Sequence, residues 1–128
     1  SFSKINIYII NMGLSIYIDK HKKNGEFKEL LFFKKVNFLL HFFDYTENYE
    51  DIEINKQQVE DLVDTCKQVL KEKSKAKTLL PNTEGFFFGS TEYDEMYFDN
   101  VKLVLQRFQH LLKTFNFEKD KLIMSCSW

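Results

Sequence analysis

The strongest constraint in this sequence is that both ends of the chain carry the same period. Leu14, Ile16 and Ile18 alternate with Ser15, Tyr17 and Asp19, and a period of two sends successive side chains to opposite faces of a half-buried strand. At the far end, Leu122, Met124, Cys126 and Trp128 again fall on one face. Helical spacing dominates between them. Terminal strands that each bury one face, separated by amphipathic helices, predict an α+β domain: three main amphipathic helices packed on a small antiparallel sheet formed by the N- and C-terminal strands.

The polar stretch HKKNG, residues 21–25, contains the turn dipeptide Asn-Gly. After it, the spacing predicts a first helix over residues 26–44. Phe32, Phe33, Val36, Leu39, Leu40 and Phe43 form one stripe, and Phe27, Leu31, Phe38 and Phe42 lie almost opposite. A helix apolar on two sides is either central to its domain or carries an interface, and central burial is the expectation. The acidic, aromatic run DYTENYEDIE, residues 44–53, reads as a connecting loop.

A second helix opens with complete punctuation. Asn55 and Gln58 have capping-box spacing, Ile54 and Val59 stand where a hydrophobic staple packs, and Val59, Leu62, Val63, Cys66, Val69 and Leu70 give a single stripe. Lys71, Lys73, Lys75 and Lys77 suit a helix C-terminus without needing a ligand. Leu79, Leu80 and Pro81 close the element. In residues 81–91, PNTEGFFFGST, two glycines bracket three phenylalanines, which predicts a short buried strand or a packed turn. Ser90 or Thr91 is the expected cap of a third helix over residues 92–115, with Glu92, Asp94 and Glu95 loading its positive end. Tyr97, Val101, Val104, Phe108, Leu111 and Phe115 follow heptad seam spacing. Packing within the chain is the expected use of that seam, and a helix-mediated homodimer is the sharper alternative.

The chain is 44% hydrophobic and 29% charged, which suits a core with a solvated surface and argues against disorder. Its 14 phenylalanines predict a core built largely from that residue. A net charge of −1 predicts neither nucleic-acid nor membrane attraction. Cys66 and Cys126 have no metal or redox spacing and fit a reducing, cytoplasmic compartment. Asn6 and Asn11 interrupt the early apolar run of Ile5, Ile7, Tyr8, Ile9 and Ile10. That run is followed by no small-residue cleavage site, and no stretch reaches membrane-span length. The expectation is a soluble protein that is not secreted.

Several motifs stand out together: Met12, Gly13 and Tyr17 as M-G-x-x-x-Y; Phe33-Lys34-Lys35-Val36-Asn37; Leu79-Leu80-Pro81 followed by GFFFGSTEYDE at residues 85–95; and the closing Ser127-Trp128. In these, from Met12 to Trp128, the chain resembles a group of small phage and prophage proteins of largely unassigned function. The GFFFGSTEYDE run is the specific part. Relatives typically carry Arg-Lys where Lys34-Lys35 stand, a histidine where Leu40 stands, and often Trp at the Phe42 position. The resemblance implies a mobile-element origin and a cytoplasmic location in the host, and it supplies no reaction. Met12 reads as a natural start, so residues 1–11 are expected to be an extension or vector remnant ahead of a single α+β domain over residues 12–128.

Catalysis needs a nucleophile with its base, paired carboxylates in a cleft, or a metal cluster. His21, His41 and His110 stand apart from one another and from other metal-ligand residues in the sequence. The sequence has no G-x-S-x-G elbow, no phosphate-cradling glycine loop and no H-x-E with C-x-x-C. No catalytic residue, metal or cofactor is therefore expected. Lys20, Lys22 and Lys23, and the lysines of residues 67–77, read as solvated faces offset by acidic neighbours, so direct nucleic-acid binding is not expected.

The expected function is non-enzymatic binding of a host protein by a phage-encoded accessory protein, in concrete form an anti-CRISPR-like inhibitor of a defence nuclease. Local DNA mimicry by residues 44–53 and 92–99 is one route to it. The alternative is a small-ligand binder that sequesters a nucleotide signal. The residues expected to bind are Lys34, Lys35 and Asn37 from one segment, and Phe87, Ser90, Glu92, Tyr93, Asp94 and Tyr97 from the other.

Overall fold

The computed structural model describes residues 13–128; the expectations for residues 1–11 lie outside them. Strand β1 (Ser15–His21) is central to a four-stranded antiparallel sheet. It pairs on one side with the C-terminal strand β4 (Lys121–Ser127), in unbroken register from Ser15 opposite Ser127 to His21 opposite Lys121. Strands β1 and β4, near opposite ends of the described residues, are thus paired at the middle of the sheet, as expected of them. Strand β3 (Asp51–Ile54) adds to the far side of β4, with Ile52 opposite Met124 and Ile54 opposite Leu122. The fold class is α+β.

The segment expected to be the first helix divides in two. Residues Phe27–Lys34 form an edge strand, β2, hairpinned to β1 through the Asn24-Gly25 turn. Gly25 adopts φ +89°, Lys22 N donates to Glu26 O at 2.8 Å, and Glu26 N donates to the Asn24 side chain at 3.0 Å. Helical structure is confined to α1 (Phe38–Phe42). The correction has a specific cause. The register slips between Ile18 and Asp19, where Leu31 and Glu29 are the β2 partners and Leu30 is the extra residue. A bulge of this kind breaks the alternation of its strand, so Phe27, Leu31, Phe32 and Phe33 lose the period of two and fall at intervals that also fit helical stripes. A second correction concerns residues 51–54, the end of the acidic run, which form β3 rather than loop.

Helix α2 (Lys56–Lys71) starts as expected. Asn55 Oδ1 accepts from Gln58 N at 2.8 Å, and Asn55 N donates to Gln58 Oε1 at 2.9 Å. Ile54 and Val59 are both buried, as are Leu62, Val63, Cys66 and Val69. A 3₁₀ turn (Lys73–Lys75) and the short helix α3 (Ala76–Leu79) follow. Two of the terminal lysines have local partners: Lys75 pairs with Glu72 at 3.0 Å, and the Lys73 ammonium lies 4.9 Å from the Phe98 ring centre.

Helix α4 spans Glu95–Thr114 and begins later than the pattern suggests. Asp94, rather than Ser90 or Thr91, is its cap, accepting from Tyr97 N at 3.0 Å. Residues 91–93 precede it without regular secondary structure, and the Tyr93 hydroxyl accepts from Asn82 N at 3.0 Å. Tyr97, Val101, Val104, Phe108 and Leu111 are buried within the chain, so the heptad-spaced seam is used internally. Helices α2 and α4 pack against each other, and their apolar stripes join the inner faces of the strands in one core.

Phenylalanine supplies less of that core than its abundance suggests. Phe33, Phe38, Phe43, Phe88 and Phe108 are buried; Phe27, Phe32, Phe86 and Phe87 are exposed. Aliphatic side chains fill most of the interior. Phe108 is nevertheless a keystone, fully buried and lying 6.0 Å from Phe33 and 6.3 Å from Phe43 between ring centres. Phe108→Ala is expected to cost about 3–5 kcal/mol, a large share of the ~5–15 kcal/mol that holds a domain folded. Urea unfolding of the two proteins checks this; a loss below about 1 kcal/mol would contradict the packing described.

Candidate functional site

Asn37 ties together segments that the sequence keeps far apart. It occupies the N-cap position of α1 yet makes no capping hydrogen bond, forgoing a contribution of about 1 kcal/mol. Its amide points instead into the loop before α4. Nδ2 donates to Phe88 O at 3.0 Å and to Ser90 O at 3.1 Å, while Oδ1 accepts from Thr83 N at 2.9 Å. The residue is 2% exposed. Both amide hydrogens and the carbonyl are therefore satisfied by backbone, and that backbone is fixed in return.

The neighbouring backbone is held in unusual conformations. Lys35 and Phe87 adopt φ +59° and +60°, a region costing a side-chain-bearing residue roughly 1–2 kcal/mol. Two glycines let these segments approach. A Cβ on Gly13 (φ +116°) would stand 2.8 Å from Phe87 O, and one on Gly89 (φ +91°) would stand 3.1 Å from the Lys35 Cβ. Leu14 N donates to Phe87 O, and Lys35 N to Leu14 O. Trp128 closes the other side, its ring centre 5.2 Å from that of Phe88. Its backbone exchanges two hydrogen bonds with the Asn48 side chain. Gly13, Lys35, Asn37, the 85–95 run and Trp128 thus meet in one junction.

Seven of the nine expected binding residues line a single concavity of about 230 Å³ beside this junction: Lys34, Lys35, Asn37, Ser90, Glu92, Asp94 and Tyr97. The other two lie outside it. Phe87 is exposed on the loop tip, and Tyr93 is bonded to Asn82. Much of the lining is already engaged. Lys34 Nζ donates to Ser15 Oγ at 3.1 Å, Ser90 Oγ accepts from Glu92 N, and the Tyr97 hydroxyl donates to Leu80 O at 2.7 Å. Met96, 69% exposed at the rim, and Asn82 and Asn100 in the lining are members that sequence patterns do not mark. Phe86 is 79% exposed beside Phe87, with ring centres 4.1 Å apart. Its signal was the triple phenylalanine itself, of which Phe88 alone is buried.

Of the described groups with displaced acidity, Tyr97 alone lines this concavity. Burial pushes the Cys66 and Cys126 thiols up to about 12 each, where thiolate nucleophilicity at neutral pH is suppressed. Burial raises Tyr45 to about 12, with the hydrogen bond from Cys126 N working in the opposite sense; its hydroxyl bridges Glu50 O and Cys126 N, anchoring residues 45–50 to β4. Tyr97 is raised by burial first and then by Tyr93. Asp19, on the sheet away from this concavity, is raised by burial and then by Glu29. Among the described residues, no group of three or more His, Cys, Asp or Glu is placed to hold a metal ion, and no helix is long and apolar enough to cross a membrane.

Removing the Asn37 amide in Asn37→Ala leaves Thr83 N without its acceptor and two carbonyls without a donor. The expected loss is about 3 kcal/mol, read by denaturant unfolding; a loss under about 0.5 kcal/mol would contradict the tie. For both thiols and Tyr45, the folded-state value lies above the ordinary one, 9.0 for the thiols and 10.0 for the phenol, so the folded chain retains protons that the unfolded chain releases. Their stabilising contribution is complete below about pH 9 and falls as pH rises toward 12. Thiol-reagent labelling is expected to be negligible at pH 8 in the native protein and complete after unfolding; rapid native labelling would overturn this assignment.

No protein-family model, curated protein or solved structure matches this chain.

Proposed function

We propose that this chain is a non-enzymatic binding protein that engages a partner protein through the surface around residues 86–96. The observation that carries the reading is the display of Phe86 and Phe87. They are 79% and 41% exposed, on a loop whose conformation at Phe87 is energetically costly. Phe88, the third of the run, supplies the burial that anchors the loop, so the two outer rings are not needed by the core. Rigidly presented aromatic side chains with a polar rim are what protein interfaces use as anchors. Here Met96 adds apolar surface, and Lys34, Lys35, Glu92 and Asp94 provide charges of both signs around the concavity.

The concavity's volume favours this over the small-ligand reading. About 230 Å³ falls below the roughly 300–1,000 Å³ typical of drug-sized ligand sites. A dimple beside exposed aromatics suits a partner's side chain better than a whole nucleotide. The resemblance to phage and prophage proteins points to a host protein in the bacterial cytoplasm as partner, and an inhibitor of a defence nuclease is the concrete form of the proposal. With carboxylates confined to local runs, occlusion by an aromatic-centred face is a better route than DNA mimicry.

The test compares the wild-type chain with Phe86→Ser/Phe87→Ser as bait in host lysate, followed by an activity assay on any captured nuclease. Both substituted side chains are outside the core, so unfolding midpoints are expected to agree. The wild type is expected to retain a specific protein in about 0.5 M salt, where charge-only contacts are screened, and to inhibit it. The double variant is expected to lose at least about tenfold in affinity, since two aromatic anchors contribute roughly 2 kcal/mol or more. Equal capture by both baits, or no reproducible capture, would sink the proposal.

A further inference from the structure

A larger cavity lies at the other end of β1. The concavity near Ser15 and the cavity near Lys20 are separated by five strand residues, roughly 17 Å. The second has a volume of about 670 Å³ and lies between β1, β2 and the C-terminal half of α4, within the size range of sites that enclose small organic ligands. We propose that it binds a small amphipathic anion: an apolar chain or ring ending in a carboxylate or phosphate.

Its floor is apolar because of the β2 bulge. In a regular strand, successive side chains face opposite ways. Leu30 is the extra residue at the Ile18/Asp19 register shift, and both it and Leu31 line this space. Leu111 and Phe115 of the α4 end complete the floor. Bulges commonly re-aim side chains beside binding sites, and here the irregularity replaces one outward side chain with apolar lining. Leu30, Leu31 and Phe115 remain only partly buried, leaving apolar surface for a ligand to cover.

The rim is cationic. Lys20 projects from β1, Arg107 and His110 from α4, and Lys119 from the turn before β4, with Asp120 the one carboxylate among the lining side chains. The salt bridges among the described residues are Lys22–Glu26 and Lys75–Glu72, so among those residues Lys20, Arg107 and Lys119 form none. Three permanent cations against one carboxylate, in a chain whose net charge is −1, concentrate positive potential at the cavity mouth. An anion there gains charge-assisted hydrogen bonds while its apolar part covers the leucines. A neutral apolar molecule gains only the second, and an inorganic anion only the first.

NMR titration of the full chain with decanoate, decyl phosphate and decanol tests the proposal, the anions below their micellar concentrations and decanol below its solubility limit. At least one anion is expected to give saturable shifts confined to Leu30, Leu31, Arg107, His110 and their neighbours, and to bind at least about tenfold more tightly than decanol. Preference for decyl phosphate or for decanoate then identifies the head group. The exposed double variant Arg107→Gln/Lys119→Gln is expected to weaken the preferred anion by about tenfold without changing the unfolding midpoint. Lys71→Gln/Lys77→Gln, which removes the same charge elsewhere, is expected to leave binding unchanged. Absence of saturable shifts for both anions, shifts spread over the surface, equal binding of decanol, or equal weakening by the two double variants would overturn it.

Discussion

One buried amide organises the end of this molecule that displays Phe86 and Phe87. Asn37 places three hydrogen bonds on backbone groups of residues 83, 88 and 90. A segment lacking regular secondary structure would otherwise leave those groups to water or unpaired. The loop between these points is pinned further by Leu14 N donating to Phe87 O and by Phe88 N donating to Gly85 O. The latched loop also passes close by: a methyl group on Gly13 would collide with Phe87 O at 2.8 Å, one on Gly89 would crowd Lys35 Cβ at 3.1 Å, and both glycines adopt positive φ.

The second organising element is the slip in pairing between β1 and β2. Antiparallel register is normally enforced by burial, because a one-residue shift exchanges the inner and outer faces. Here the shift is absorbed within β2 by the extra residue Leu30, so Phe33 remains on the core side opposite Ile16 while the strand beyond the bulge is re-aimed. The same irregularity supplies the apolar floor of the larger cavity. It also weakens β2 as a template for edge-to-edge pairing, since bulges and edge lysines such as Lys28 and Lys34 are among the features that discourage it.

Local physics made much of the architecture legible. The alternation of Leu14, Ile16 and Ile18 and of Leu122, Met124 and Cys126 identified both central strands, because period two has one interpretation when flanked by turn residues. Asn55 and Gln58 identified the start of α2 to the residue, because a capping box is satisfied entirely within four positions. The grouping of Lys34, Lys35, Asn37, Ser90, Glu92, Asp94 and Tyr97 also proved spatial. By contrast, residues 26–34 were misleading. Leucine and phenylalanine crowd both faces there, and the bulge removes the alternation that would have marked an edge strand. With that strand misread, the adjoining cavity with Leu30, Leu31, Arg107 and His110 had no signature at all.

The sequence by itself determined where its two clearest strands and its best-capped helix lie and most of the residues those elements bury, since those preferences arise from backbone geometry and neighbours a few positions away. Tertiary structure alone decided the partners of Asn37, the fate of the 26–44 segment and the display of Phe86 and Phe87. The physical reason is range. The carbonyls that claim the Asn37 amide lie 51 and 53 positions along the chain, and an amide's choice between capping its own helix and bridging to a distant loop is settled only when both are present in space.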